Sequence, residues 1–389
     1  MAVVKTASVS ERLTGLDGLR AISILLVLAG HGAWTAGAPH WVLPLRDCGL
    51  AGVEIFFVIS GFIITHLLLR ERRRHGEIDL PAFWTRRALR IVPPLLVASA
   101  AIAVAAQSGL LQWWWSSFFG ALTLTKDTPL LGGDWFFGHT WSLALEEQFY
   151  LLWPLLLVWV LDARRLIQGL CVLLLASPLL AVSPAWLPSL QNLLPYLPYL
   201  GAGCLLALLT AHAPDWLAAQ ARRRGVMALA IAVIMLAAAL GWLRHAKWEP
   251  LPAATAAPLA AAAGLLGPAA ALALVARAVL AERTPLLSSA PLVWLGRRSY
   301  SLYLWQQLFL GPPHVYTHAW RWSVWPWNLL AALVCGVASY VFVEQPCARL
   351  KSRLLRARAH RAARKRMTAV PAVPDVRLVS GQADAGGGS

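Results

Sequence analysis

In the segment LDGLRAISILLVLAGHGAW, Arg20 and His31 stand eleven positions apart across a nearly unbroken apolar run. On an α-helix that separation brings the two side chains within about 20° of one face and about 16 Å apart along the axis. A neutral imidazole is the usual side chain for moving a proton near neutral pH, and a guanidinium is suited to holding an anion. Set on one face, the pair lines a single groove, with Arg20 near the cytosolic entrance and His31 deep in the membrane, placed for proton transfer. Asp17, one turn before Arg20, can pair with it. The plainer reading is an arginine at the bilayer interface and a histidine hydrogen-bonded between helices.

Other segments add groups of the same kind. In FWTRRALRIVPP, Arg87 and Arg90 are three apart at the start of a helix and share a face, and arginine forks match phosphate oxygens bidentately. Arg86 fits plain positive-inside topology. HTWSLALEEQFYLLWP places Glu146, Glu147 and Gln148 inside an apolar run, where solvation does not explain them. A carboxylate buried there takes up a proton or pairs with His or Arg. Trp141, in the same segment, is grouped with the substrate-contacting or structural positions. GVEIFFVISGFIITHLLLRE carries Glu54 near its outer end and Ser60–Gly61 in mid-span, where glycine permits close helix packing. Tyr300, Tyr303 and Gln306 follow at i, i+3, i+6 on one helix face, with packing an equal reading for the tyrosines. Glu344 stands at a helix end, where it can pair with Arg349. The five cysteines form no CxxC pair and read as packing residues, so neither a disulfide framework nor a metal site is expected.

These groups need a membrane scaffold to position them. The chain of 389 residues is 58% hydrophobic and 13% charged, about half the charged fraction of a soluble domain, so lipid must take up the excess apolar surface. Its 20 tryptophans suit bilayer interfaces. About 20 apolar residues cross the hydrocarbon core. That length marks ten candidate spans: Leu16–Ala36, Ala51–Leu69, Ile91–Gly109, Thr140–Leu161, Gly169–Val182, Leu193–Leu209, Gly225–Leu243, Ala257–Val279, Ser299–Pro312 and Trp327–Phe342. Leu110–Leu124, with Trp113, Trp114 and Trp115, reads as interfacial or re-entrant. With the N-terminus in the cytosol, the outer loops hold only Arg46, Lys126, Arg244, Lys247 and Arg321, and the other arginines and lysines before residue 345 fall inside. The expected fold is therefore all-α: a polytopic bundle of about ten transmembrane helices with both termini cytosolic, in the inner or plasma membrane. Residues 1–350 form the membrane-embedded unit. Residues 351–389 form a tail, first basic and drawn to anionic lipid rather than nucleic acid, then disordered. No cleavable signal is expected, because Met1–Arg12 is polar. A secondary transporter or flippase for an acylated or lipid-linked sugar would also explain such a bundle. It predicts inverted internal repeats, and none is evident. A non-catalytic scaffold would not need a buried Arg–His–Glu set.

Six segments in this order, LDGLRAISILLVLAGH, GVEIFFVISGFII, FWTRRALRIVPP, HTWSLALEEQFYLLWP, GRRSYSLYLW and SYVFVEQPCARL, resemble the membrane acyltransferase type 3 family. That family includes O-antigen and exopolysaccharide acetylases, nodulation-factor acetylases and macrolide acyltransferases. The resemblance covers most of residues 12–350. It implies transfer of an acyl group, usually acetyl, from acyl-coenzyme A to a hydroxyl of a sugar, glycan, macrolide or similar acceptor, with no metal. Residue by residue, it carries the family's key positions onto Arg20, His31, Arg87, Arg90, Glu146 and Gln148, and onto the stretch around Ser60–Gly61. One departure is Gln306, where many relatives have histidine; glutamine cannot act as a base. The esterase-like domain appended in some relatives has no counterpart here, so a second transfer within this polypeptide is not expected. The expected mechanism has Arg87 and Arg90 holding the donor's phosphates and Arg20 lining the entrance. His31 takes the acceptor's proton or carries the acyl group, and Glu146 fixes the imidazole's tautomer.

Overall fold

A computed structural model describes residues 9–128, 134–160, 162–183, 190, 192–212, 253–281, 284–318 and 320–350. Among these residues the chain is helical, and its only β pairings are isolated bridges, Ala36 with Val324 and Leu111 with Tyr316. The helices are α1 (Val9–Gly32), α2 (Cys48–His75), α3 (Leu80–Gln107), α4 (Trp115–Leu122), α5 (Thr140–Trp159), α6 (Ala163–Leu175), α7 (Ser177–Val182), α8 (Leu197–His212), α9 (Ala253–Leu280), α10 (Ala290–Gly296), α11 (Ser299–Phe309) and α12 (Trp327–Ser339). A single π-turn, Tyr340–Glu344, continues α12.

Among the described residues, five stretches are long and apolar enough to cross a membrane: Thr14–Gly32, His40–His75, Leu80–Gln107, Pro258–Leu280 and Trp327–Leu350. Helix α5 follows the expected fourth span closely. The expected fifth span, Gly169–Val182, is two helices, α6 and α7, meeting at Ala176 just before Pro178. The expected seventh span, Gly225–Leu243, and the tail 351–389 lie outside the described residues.

Local signals explain the boundaries that matter. Gly76 ends α2 in the left-handed region at φ 80°, its N–H returning to the Arg72 carbonyl. Asp79 then caps α3 by accepting from the Ala82 N–H at 2.9 Å, with Pro81 in the first turn. This cap starts α3 eleven residues before the expected Ile91. Arg86, Arg87 and Arg90 therefore lie inside a helix, two to three turns in, rather than in a loop and at a helix start.

Helix α2 is the central element and packs on α1, α5, α8 and α9. The main core joins Ile24 and Val27 of α1, Ile55, Val58 and Ile59 of α2, Leu200 and Leu206 of α8, Val275 of α9 and Leu302 of α11. The α2–α8 crossing is close because Gly61 and Gly203 lack side chains: a Cβ on either would meet a backbone carbonyl, Leu200's and Val58's respectively.

Candidate active site

Two groups of polar side chains lie inside this bundle, at different depths along α1. The first surrounds a cavity lined by Arg20 of α1, Ser60 of α2, Arg87 and Arg90 of α3, Glu146 and Tyr150 of α5, and Tyr300 and Tyr303 of α11. Five helices thus converge on one polar chamber, whose walls also include Ser142, Ser299 and the apolar Val53, Phe57 and Leu143. Glu146 is gripped from two sides: Ser60 Oγ donates to its Oε1 at 2.7 Å, and the Tyr150 hydroxyl donates to its Oε2 at 3.3 Å. Arg20 and Arg87 are its cationic neighbours. Arg87 stacks over the Tyr150 ring at 4.7 Å. Arg90 lies 4.0 Å from Glu344 Oε1, and the π-turn holds that carboxylate while Ser301 donates to its Oε2 at 2.9 Å.

Arg20 Nε has no hydrogen-bond partner among the described residues. Asp17, expected to pair with Arg20, instead binds Arg297 at 3.1 Å, because the α1–α10 contact brings the α10 terminus onto it.

Arg87 and Arg90 also line a second cavity of about 510 Å³ with Arg70, Glu71, Arg74, His75 and Arg86. Its one carboxylate, Glu71, is engaged by Arg86 at 3.0 Å. The two arginines expected to hold phosphate thus form the wall between a basic vestibule and the inner chamber.

His31 is in the last turn of α1 and partly exposed, and it does not line the inner chamber. Its Nδ1 lies 2.7 Å from Oε1 of Gln306, and its ring meets Trp135 edge-on at 5.3 Å. This corrects the expected pairing of His31 with Glu146. Ser60 and Tyr150 occupy the two Glu146 oxygens in the chamber that Arg20 lines, a level of α1 well removed from His31.

Helix α11 links the two groups. Its face at i, i+3, i+6 presents Tyr300 and Tyr303 to the chamber and Gln306 to His31. The Tyr300 hydroxyl donates to the Ile91 carbonyl at 2.7 Å. The Tyr303 hydroxyl donates to the His139 carbonyl at 2.9 Å and lies 2.7 Å from Ser142 Oγ. Trp141 packs against Phe57 and Tyr196, at 6.0 and 4.8 Å between centroids. Gln148 does not line the chamber; its Nε2 donates to Asp127 at 3.0 Å and to the Leu124 carbonyl at 3.2 Å, anchoring the loop before α5. Glu54 is bonded by the Tyr199 hydroxyl. In the loop before α5, burial pushes the Lys126 ammonium below its usual range, with Asp134 opposing the shift.

Sequence reasoning missed the clamp of Gln307 on His139, in which one oxygen lies 2.6 Å from Nδ1 and accepts from the backbone N–H at 2.8 Å. Two adjacent glutamines inside an apolar helix were the available signal.

Residues 13–344 match the family model described as "Acyltransferase domain". The O-acetyltransferase OatA of Staphylococcus aureus strain NCTC 8325 / PS 47 is 30% identical over 415 residues, covering 96% of this chain and 64% of its own length. OatA of strain MRSA252 is 29% identical over the same shares. The chain thus spans just under two thirds of the length of these relatives. No solved structure matches it.

Proposed function

This chain belongs to the acyltransferase domain family, and on that premise we propose that it is a membrane O-acyltransferase. It moves an acyl group, acetyl in the simplest reading, from acyl-coenzyme A to a hydroxyl of a carbohydrate or other acceptor. The relatives are named O-acetyltransferases, which supports O-acetyl transfer. One observation carries the reading: Arg20 and His31 sit at two levels of α1, and a single face of α11 runs between them.

In this reading the donor's phosphates rest in the basic vestibule against Arg87 and Arg90. The pantetheine arm passes Arg20 and Tyr303. The rise from Arg20 to His31 is about 16 Å, within the reach of that arm when extended. The acceptor oxygen attacks the thioester carbonyl as His31 Nε2 takes its proton. The C–S bond breaks, and the leaving thiolate takes that proton back from the imidazolium. An acyl-imidazole route uses the same nitrogen. Glu146, held by Ser60 and Tyr150, offsets the charge of Arg20 and Arg87 in the chamber. The chain crosses the membrane about ten times with both ends cytosolic. The arginines lie on the cytosolic side and His31 toward the outer side. The basic residues that follow Arg349, from Lys351 to Arg366, favour attraction to anionic inner-leaflet lipid.

Purified protein given radiolabelled acetyl-coenzyme A and a hydroxyl acceptor should release coenzyme A in step with acceptor labelling. A transporter or flippase would consume no thioester. Arg87→Ala removes a charge-assisted phosphate contact worth about 1.5–3 kcal/mol. The expected result is an apparent KM for the donor raised about 10-fold or more, with kcat little changed. An effect confined to the acceptor's KM would remove the phosphate role.

A further inference from the structure

Gln306 has no acid–base chemistry, yet it is a polar side chain wholly buried on α11. Only one end of its amide is met. Oε1 lies 2.7 Å from His31 Nδ1, and the enclosed Nε2 has no hydrogen-bond partner among the described residues. A buried polar group left unpaired destabilises the fold. Packing alone would favour leucine or methionine, which fill a similar volume and leave no orphan N–H. The amide therefore points to a task at its paired end.

An amide oxygen accepts and never donates, so the proton in this contact belongs to His31 Nδ1. The neutral imidazole then carries its lone pair on Nε2. No Asp, Glu, Lys or Arg among the described residues hydrogen-bonds or ion-pairs with His31, and its titratable neighbour is His139. The choice of tautomer falls to Gln306. We propose that Gln306 is a positioning residue that holds His31 in the Nδ1–H tautomer and so keeps Nε2 free as the base for acyl transfer. This rests on the reading of His31 given above. Gln307, the next residue, applies the same oxygen to His139, but also to that residue's backbone N–H, as a clamp on the chain. The Gln306 oxygen meets only the imidazole.

The test uses the full chain labelled with 15N-histidine, with the His31 signals assigned by their loss in His31→Ala and acetyl transfer assayed in parallel. In the native protein Nδ1 should resonate as the protonated nitrogen and Nε2 as the unprotonated one. Gln306→Met should shift the population toward Nε2–H and lower transfer about 10-fold or more, with a melting temperature equal to or above the parent's. Gln306→Glu keeps an acceptor oxygen and should keep Nδ1–H. A native His31 protonated on Nε2, or a tautomer unchanged in Gln306→Met, overturns the inference and leaves the role of His31 standing. A tautomer that shifts while transfer runs undiminished upholds the clamp and overturns the reading of His31 as the base.

Discussion

Alanine at position 31 is expected to lower acyl transfer by about 100-fold or more, the usual contribution of a positioned general base. The donor's apparent KM should hardly move, because the arginines proposed to hold its phosphates line the chamber at the Arg20 level, about 16 Å away along the helix axis. This split separates His31→Ala from Arg87→Ala, whose effect falls on KM. The alanine variant also leaves Gln306 Oε1 without its partner, so the folded fraction must be measured beside the rate. His31→Asn provides the second variant: its amide N–H can still donate to Gln306, but it cannot take a proton. Both variants should lose transfer to the same extent while the asparagine form keeps the parent's melting temperature. Undiminished turnover by folded His31→Asn would remove the imidazole from the mechanism.

The second large effect is on the fold. Gly61→Leu is expected to destabilise the protein by about 3 kcal/mol or more, at the upper end of overpacking. Its Cβ would meet the Leu200 carbonyl, a backbone atom that no side-chain rotation can move. Helices α2 and α8 would have to separate, opening the core that holds Ile59, Leu200 and Leu206. Ser60 would move with α2 and loosen its 2.7 Å bond to Glu146. Thermal unfolding in detergent should show the loss, with Gly61→Ala intermediate. Parent-like stability in Gly61→Leu would mean that this crossing does not depend on backbone contact.

Much of this was legible in the sequence because lipid imposes simple rules. Long apolar runs become helices, since every backbone group in hydrocarbon must be bonded within the segment. The i, i+3, i+6 spacing placed Tyr300, Tyr303 and Gln306 on one face, and the eleven-residue spacing placed Arg20 and His31 on another. Periodicity within one helix is local geometry, so it can be read without knowing the neighbours.

Partnership between helices is a different matter. Glu146 was an expected partner for His31, yet Ser60 and Tyr150 take its oxygens, and Gln306 meets the imidazole. Asp17 was an expected partner for Arg20, yet Arg297, 280 positions away, binds it. Nor did spacing indicate that Glu344 would lie beside Arg90 through a π-turn. Helical period specifies which way a side chain leaves its own axis. The identity of the group it meets depends on the depth and rotation of the facing helix, and these are settled by close contacts such as Gly61 against Leu200, which exist only once the bundle has packed.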